Sequence, residues 1–177
     1  KKYESVTVVP ARGSMGKDVE NQSNNVVAVT SKKLSSHYKL LHIPDELGEE
    51  AMKTLTQEPQ IKNTLDMIQK TDVLVFGIGI AEEMATKRKL PREKVEEIVN
   101  KGAIGEAFGH YFNEKGEIVF KLNTVGIDLQ TFKDAKESIA IFAGTRKADA
   151  LIAMTNINKN IVLITDEESA NRIMELL

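Results

Sequence analysis

The 177-residue chain has no cysteine, which excludes disulfides and thiol chemistry and fits a reducing compartment. It has little net charge, −2, so it carries no global electrostatic footprint for nucleic acid; a DNA contact has to come from a local patch or from another domain. No apolar run approaches the roughly 20 residues of a membrane span, and no secretory signal pattern is present. There is no metal-ligand spacing and no Walker A sequence. Gly77-Ile78-Gly79 is not a dinucleotide fingerprint, because Glu82 stands where the third glycine belongs. Repeats and low-complexity linkers are also missing. What remains is a chain long enough for one domain, 41% hydrophobic and therefore able to bury a core.

Strand and helix patterns alternate along it. Strands are expected at residues 5–9, 38–43, 72–76, 139–143 and 161–164, each short, apolar or β-branched. Helices are expected at about 18–33, 46–56, 59–69, 81–88, 91–101, 129–136, 147–156 and from 167 to the end. In the first helix Val19, Val26, Val27 and Thr30 are assigned to the inner face, and its opening turns are unusually polar. Asp45 is read as a helix cap and Pro91 as a first helical residue. Residues 102–127 break the rhythm, with five glycines and a hairpin over 111–120. The expectation is an α/β fold, a mostly parallel, Rossmann-like sheet with helices on both faces. Ligands of such sheets bind at the carboxyl ends of the strands, where the loops after residues 9, 76 and 143 would lie.

Within those loops, Ile139-Ala-Ile-Phe-Ala-Gly144-Thr145-Arg146-Lys147 reads as a strand, a tight turn and a helix start. Unpaired amides, glycine and a mobile ammonium suit a phosphate, although an ordinary βα turn with a surface lysine has the same look. Arg12, between Ala11 and Gly13, offers a bidentate fork for phosphate. Gln22, one turn into the next helix, carries an amide suited to a sugar hydroxyl. Lys87-Arg88-Lys89 is a basic cluster that fits a second phosphate or a solvated face. Glu106 and His110, four apart, fit an acid/base pair; Glu106 fits equally well a hydrogen-bond acceptor for sugar hydroxyls. His37 and His42 are read as structural.

In order along the chain, Val9-Pro10-Ala11-Arg12-Gly13, Asp18-Val19-Glu20-Asn21-Gln22-Ser23-Asn24, Gly77-Ile78-Gly79, Glu106-Ala107-Phe108-Gly109-His110-Tyr111-Phe112, Gly144-Thr145-Arg146-Lys147 and Val162-Leu163-Ile164-Thr165-Asp166-Glu167 resemble the effector domain of SorC-type, also called DeoR-type, sugar-responsive bacterial transcription regulators. The resemblance covers essentially residues 1–177. It implies a sugar-phosphate-binding domain with the fold of glucosamine-6-phosphate deaminase and ribose-5-phosphate isomerase. For the branch that controls glycolytic genes it implies a repressor whose effector is fructose 1,6-bisphosphate. By motif, Arg12 would hold one phosphate, Gln22 and Glu106 the sugar hydroxyls, and Lys147 with the backbone of Gly144, Thr145 and Arg146 the other phosphate. Lys87 or Arg88 would help. A bisphosphate would thus bridge Arg12 and Lys147. The resemblance also implies a homo-oligomer, dimer or tetramer, acting in the cytoplasm without a membrane. Operator DNA would be read by a winged-helix domain outside this chain. A glycine- and threonine-rich βα turn of the family precedes the Pro-Ala-Arg-Gly motif and is not in this sequence. With the absence of an initiating methionine, that leads to the expectation of a piece of a longer protein.

Two readings compete with the sensor. One is a sugar-phosphate isomerase or deaminase of the same fold, with Glu106 and His110 as acid and base. The other is a structural oligomerisation module that binds no phosphate. As a sensor, the chain would need no cofactor, metal or catalytic residue.

Overall fold

The computed structural model describes residues 2–15 and 22–177, and its chain divides into two units: residues 1–71 with 123–131, and residues 72–122 with 132–177. Positions 18–21, the expected start of the first helix, lie outside the described residues, as does the expected inner-face residue Val19.

In the first unit β1 (Thr7–Val8) pairs in parallel with β2 (His37–Tyr38), and α1 (Ser23–Leu34) links them. Both strands are shorter than the apolar runs that announce them. Past β2 the backbone of Leu41 bonds to a side chain instead: its N–H donates to Asn24 Oδ1 at 2.9 Å and its carbonyl accepts from Asn24 Nδ2 at 3.0 Å. The polar opening of α1 therefore has a structural use, since Ser23 Oγ also donates to the carbonyl of Arg12 at 3.0 Å. On α1 the expected inner-face residue Val27 is buried, with Ser31 beside it, while Thr30 is half-buried and Val26 is exposed. The next helix, α2 (Glu49–Leu55), begins after Gly48 rather than after Asp45, and α3 (Pro59–Ile68) buries Thr64 and Ile68.

In the second unit β3 (Val73–Phe76), β8 (Glu137–Ile141) and β9 (Ile161–Ile164) form a parallel sheet in the order β3-β8-β9. A separate antiparallel sheet orders β4 (Gly79–Ile80), β5 (Gly105–Ala107), β6 (His110–Phe112) and β7 (Ile118–Lys121). The fold is thus a mixed α/β arrangement and not a single mostly parallel sheet. Only the β6–β7 part of the antiparallel sheet is foreshadowed by the hairpin pattern. The helices α4 (Ala81–Lys87) and α5 (Arg92–Asn100) pack with this sheet around Ala81, Ala85, Ile98, Tyr111 and Leu122. Pro91 stands just before α5, as its N-cap.

Burial alternates along β3, with Leu74 and Phe76 inside and Val73 and Val75 about half exposed. Ile141, Val162 and Ile164 are about half exposed as well. The expected cover of helices on both faces is therefore incomplete among the described residues. α6 (Leu129–Asp134) buries Phe132, whose ring meets Phe76 and Phe108 at centroid distances of 5.3 and 5.5 Å. α7 (Ala148–Ile157) is apolar nearly all round and buries Ala148, Ala150, Leu151, Ala153 and Met154. α8 (Glu167–Leu176) closes the chain.

Candidate functional site

Because β3, β8 and β9 run in parallel, their carboxyl ends share one edge, and three loops meet there: Gly77–Gly79, residues 142–147 and Thr165–Asp166. After β8 the chain turns at Gly144, whose φ of 102° and ψ of 121° suit a residue without a side chain. A Cβ there would meet nothing within 4 Å, so glycine is required by the backbone and not by crowding. Thr145–Lys147 then form a 3-10 turn that runs into α7. The first amides of such a start have no intrahelical partner and face outward with a partial positive charge.

Asp166 is the N-cap of α8. Its Oδ1 accepts from the Ser169 N–H at 2.8 Å, and its Oδ2 accepts from Ser169 Oγ at 2.9 Å and from the Gly144 N–H at 3.0 Å. Donation by the Ser169 amide, then by the Gly144 amide and the Ser169 hydroxyl, holds the Asp166 carboxyl below the usual aspartate value. Asp166 stands in the last motif of the resemblance, which assigns it no role. Its signal is a helix-capping pattern, Asp166 followed by two acids and by Ser169 at the third position. Beside it Thr165 Oγ1 is buried with no hydrogen-bond partner among the described residues. Arg146 is exposed and pairs with Glu83 of α4 at 2.6 Å. Lys147 is half-buried and has no ion pair among the described residues.

Next to this edge Gly79 pairs with Glu106 across the β4–β5 ladder. β5 and β6 are joined by Phe108 and Gly109 at φ 55° and 81°, the positive pair of a two-residue I′-type turn. Phe108 tolerates that conformation with its ring in the cluster of Phe76 and Phe132. Glu106 Oε1 accepts from the Gly109 N–H at 2.7 Å and faces Arg88 Nη2 at 3.3 Å. The two side chains are only 4% and 1% exposed. Of the basic pair at the end of α4, Arg88 is thus turned inward onto Glu106 while Lys87 is exposed. His110 is buried, opposite Ala107 in the same hairpin. α7 packs against β5, and a Cβ on Gly105 would come within 2.4 Å of the Phe112 ring and 3.0 Å of Ala150. The hairpin and the helix after the Gly144 loop are therefore fitted to each other.

The remaining expected residues belong to the first unit. Arg12 forms a bidentate pair with Asp45, Nε to Oδ1 at 2.8 Å and Nη2 to Oδ2 at 2.6 Å. Asp45 thus serves Arg12 and not the helix that it precedes in sequence. Gly13 lies in the same loop, and a Cβ there would come within 2.6 Å of the Pro44 carbonyl oxygen. Gln22 is the extended N-cap of α1 and is half-buried.

The sugar-binding domain family matches residues 1–175. The central glycolytic genes regulators of Priestia megaterium and Bacillus subtilis are 44% and 39% identical to this chain over 173 residues, covering 98% of it and 51% of each regulator. The chain spans about half the length of these curated relatives. Among solved structures, the SorC family transcriptional regulator from Enterococcus faecalis superposes with a TM-score of 0.86 at 37% identity, over 95% of this chain and 68% of that one. The full-length sorbitol operon regulator SorC of Klebsiella pneumoniae shares the fold, with a TM-score of 0.87 at 18% identity over 98% of this chain and 58% of that one. On sequence and fold together, the chain belongs to the sugar-binding domain family.

Proposed function

We propose that this chain is the effector-binding part of a transcriptional repressor of glycolytic genes, and that it binds a phosphorylated sugar without converting it. The observation that carries this reading is the Gly144–Lys147 turn: a positive-φ glycine, a helix start and a half-buried lysine without an ion pair among the described residues, at the carboxyl edge of a parallel sheet. Its relatives are named as regulators of central glycolytic genes, which favours a glycolytic metabolite, and fructose 1,6-bisphosphate first. Glu106 supports a sensor over an isomerase or deaminase. Its Oε1 is committed to a backbone amide and a buried guanidinium, which suits a fixed polar wall better than a shuttle for protons. Lys147 supplies the ammonium for one phosphate, and Lys87 of the same unit is exposed and basic. Operator binding through another domain and assembly into a homo-oligomer complete the proposal, with effector binding favouring one of two arrangements.

Calorimetric titration of fructose 1,6-bisphosphate into this chain and its Lys147→Ala variant tests the reading. Loss of a charge-assisted contact is expected to weaken binding on the order of tenfold to a hundredfold. Equal affinity in the two would refute it.

A further inference from the structure

Gly144 was expected to offer its amide to the ligand, yet that N–H donates to Asp166 Oδ2 at 3.0 Å. The bond crosses from the loop after β8 to the loop after β9 and joins two neighbouring strand ends. Just before it, the Phe142 N–H donates to the carbonyl of Ile164, the last residue of β9, at 3.2 Å and continues the β8–β9 ladder. The Lys147 N–H donates back to the Gly144 carbonyl at 3.1 Å. The amides of Thr145 and Arg146 are thus left as the donors of the turn without a backbone partner outside the helices and strands among the described residues. Glycine at φ 102° gains no rigidity from its own side chain, so an external acceptor has to fix the peptide.

We infer that Asp166 is a positioning residue for the Gly144–Lys147 loop: it reserves the Gly144 N–H for itself and aims the amides of Thr145 and Arg146, with Lys147, at the phosphate. The inference rests on the phosphate-loop reading above. Because its donors keep the Asp166 carboxyl ionised well below neutral pH, the pin holds throughout the range in which a cell works. A carboxylate on a loop that receives a phosphate would also repel it. Charge and geometry therefore oppose each other, and substitution separates them.

Asp166→Ala removes the charge and both acceptors, whereas Asp166→Asn removes the charge and leaves one acceptor oxygen for two amide donors, Gly144 N–H and Ser169 N–H, so it keeps only one of those bonds. If the residue pins the loop, Ala weakens binding of fructose 1,6-bisphosphate on the order of fivefold, the value of one net hydrogen bond. Asn, which keeps one of the two amide bonds and carries no charge, is expected to bind at least as tightly as Ala. Ser169→Ala is the control for α8, because it removes one partner of Asp166 and leaves the Gly144 bond in place. It is expected to leave affinity unchanged. Backbone NMR supplies a readout that a helix cap alone would not move. In the parent chain the Gly144 amide exchanges slowly and shifts little on titration with fructose 1,6-bisphosphate, while the Thr145 and Arg146 amides shift strongly. In Asp166→Ala the Gly144 amide loses its protection. If the parent chain binds and Asp166→Ala binds equally or more tightly, the pin is refuted while the phosphate reading stands. If no loop amide of the parent chain shifts, the phosphate reading fails and the inference falls with it.

Discussion

Replacing Glu106 tests what holds the β5–β6 hairpin. Its Oε1 serves two partners, the Gly109 amide at 2.7 Å and Arg88 Nη2 at 3.3 Å, in surroundings where both ionic side chains are nearly inaccessible. Glu106→Gln keeps an oxygen for Gly109 but cancels the charge that faces the guanidinium. Breaking a buried pair from one side costs about 3–5 kcal/mol, and the 3.3 Å separation puts this pair near the lower end, about 3 kcal/mol. Glu106→Ala also strips the acceptor from a buried amide and adds about 1–3 kcal/mol. At about 2–4 °C per kcal/mol for a chain of this size, Gln lowers Tm by about 6–12 °C and Ala by more. Glu106→Gln combined with Arg88→Met removes both charges and is expected to recover most of the loss. Calorimetric melts of the four proteins decide. A Gln variant as stable as the parent, or a double variant no better than the single, would show that the pair does not hold the hairpin.

Gly144→Ala forces a side chain into a positive-φ backbone with open space around it, so it costs about 1–3 kcal/mol from strain alone, read by urea unfolding. Asp45→Ala leaves the Arg12 guanidinium without its bidentate acceptor and is expected to destabilise the chain by about 3 kcal/mol, measured in the same way. Lys136→Ala, by contrast, removes a fully solvated pair with Asp72 and leaves Tm unchanged. The Asp166 carboxyl is lowered in the folded chain, so its contribution to stability is complete above the unfolded aspartate value and is withdrawn as pH falls through the lower folded one. The stability gap between the parent and Asp166→Ala is therefore constant through neutral pH and closes only in acid.

Much of the secondary structure was legible because its cause is local. Ile161–Ile164 is a strand by composition, Pro59 fixes the start of α3, and the run from Val73 to Phe76 is β3 as it stands. The strands that were not foreseen are two- and three-residue pieces made of Gly79-Ile80 and Gly105-Glu106-Ala107, whose strand character comes from pairing partners and not from propensity. The loops at the carboxyl edge were legible from glycine and charge. Their internal partners were not: Arg12 with Asp45, Arg88 with Glu106, Arg146 with Glu83 and Gly144 with Asp166 are separated by 33, 18, 63 and 22 positions, and no local pattern encodes such pairs. The pairings also refine the site chemistry. Arg88 and the Gly144 amide, both expected to meet a ligand, have internal carboxylate partners, whereas Lys147 has no such ion-pair partner among the described residues.

Phosphorus and carbon NMR of fructose 1,6-bisphosphate titrated with this chain separates a sensor from an enzyme and from a module that binds no phosphate, because binding and turnover are read in one sample. A sensor gives saturable shifts or broadening of the phosphate lines at a stoichiometric end point, with the sugar spectrum unchanged on prolonged incubation. Lines that stay in place at every ratio would contradict phosphate binding, and new sugar resonances would make the protein an enzyme.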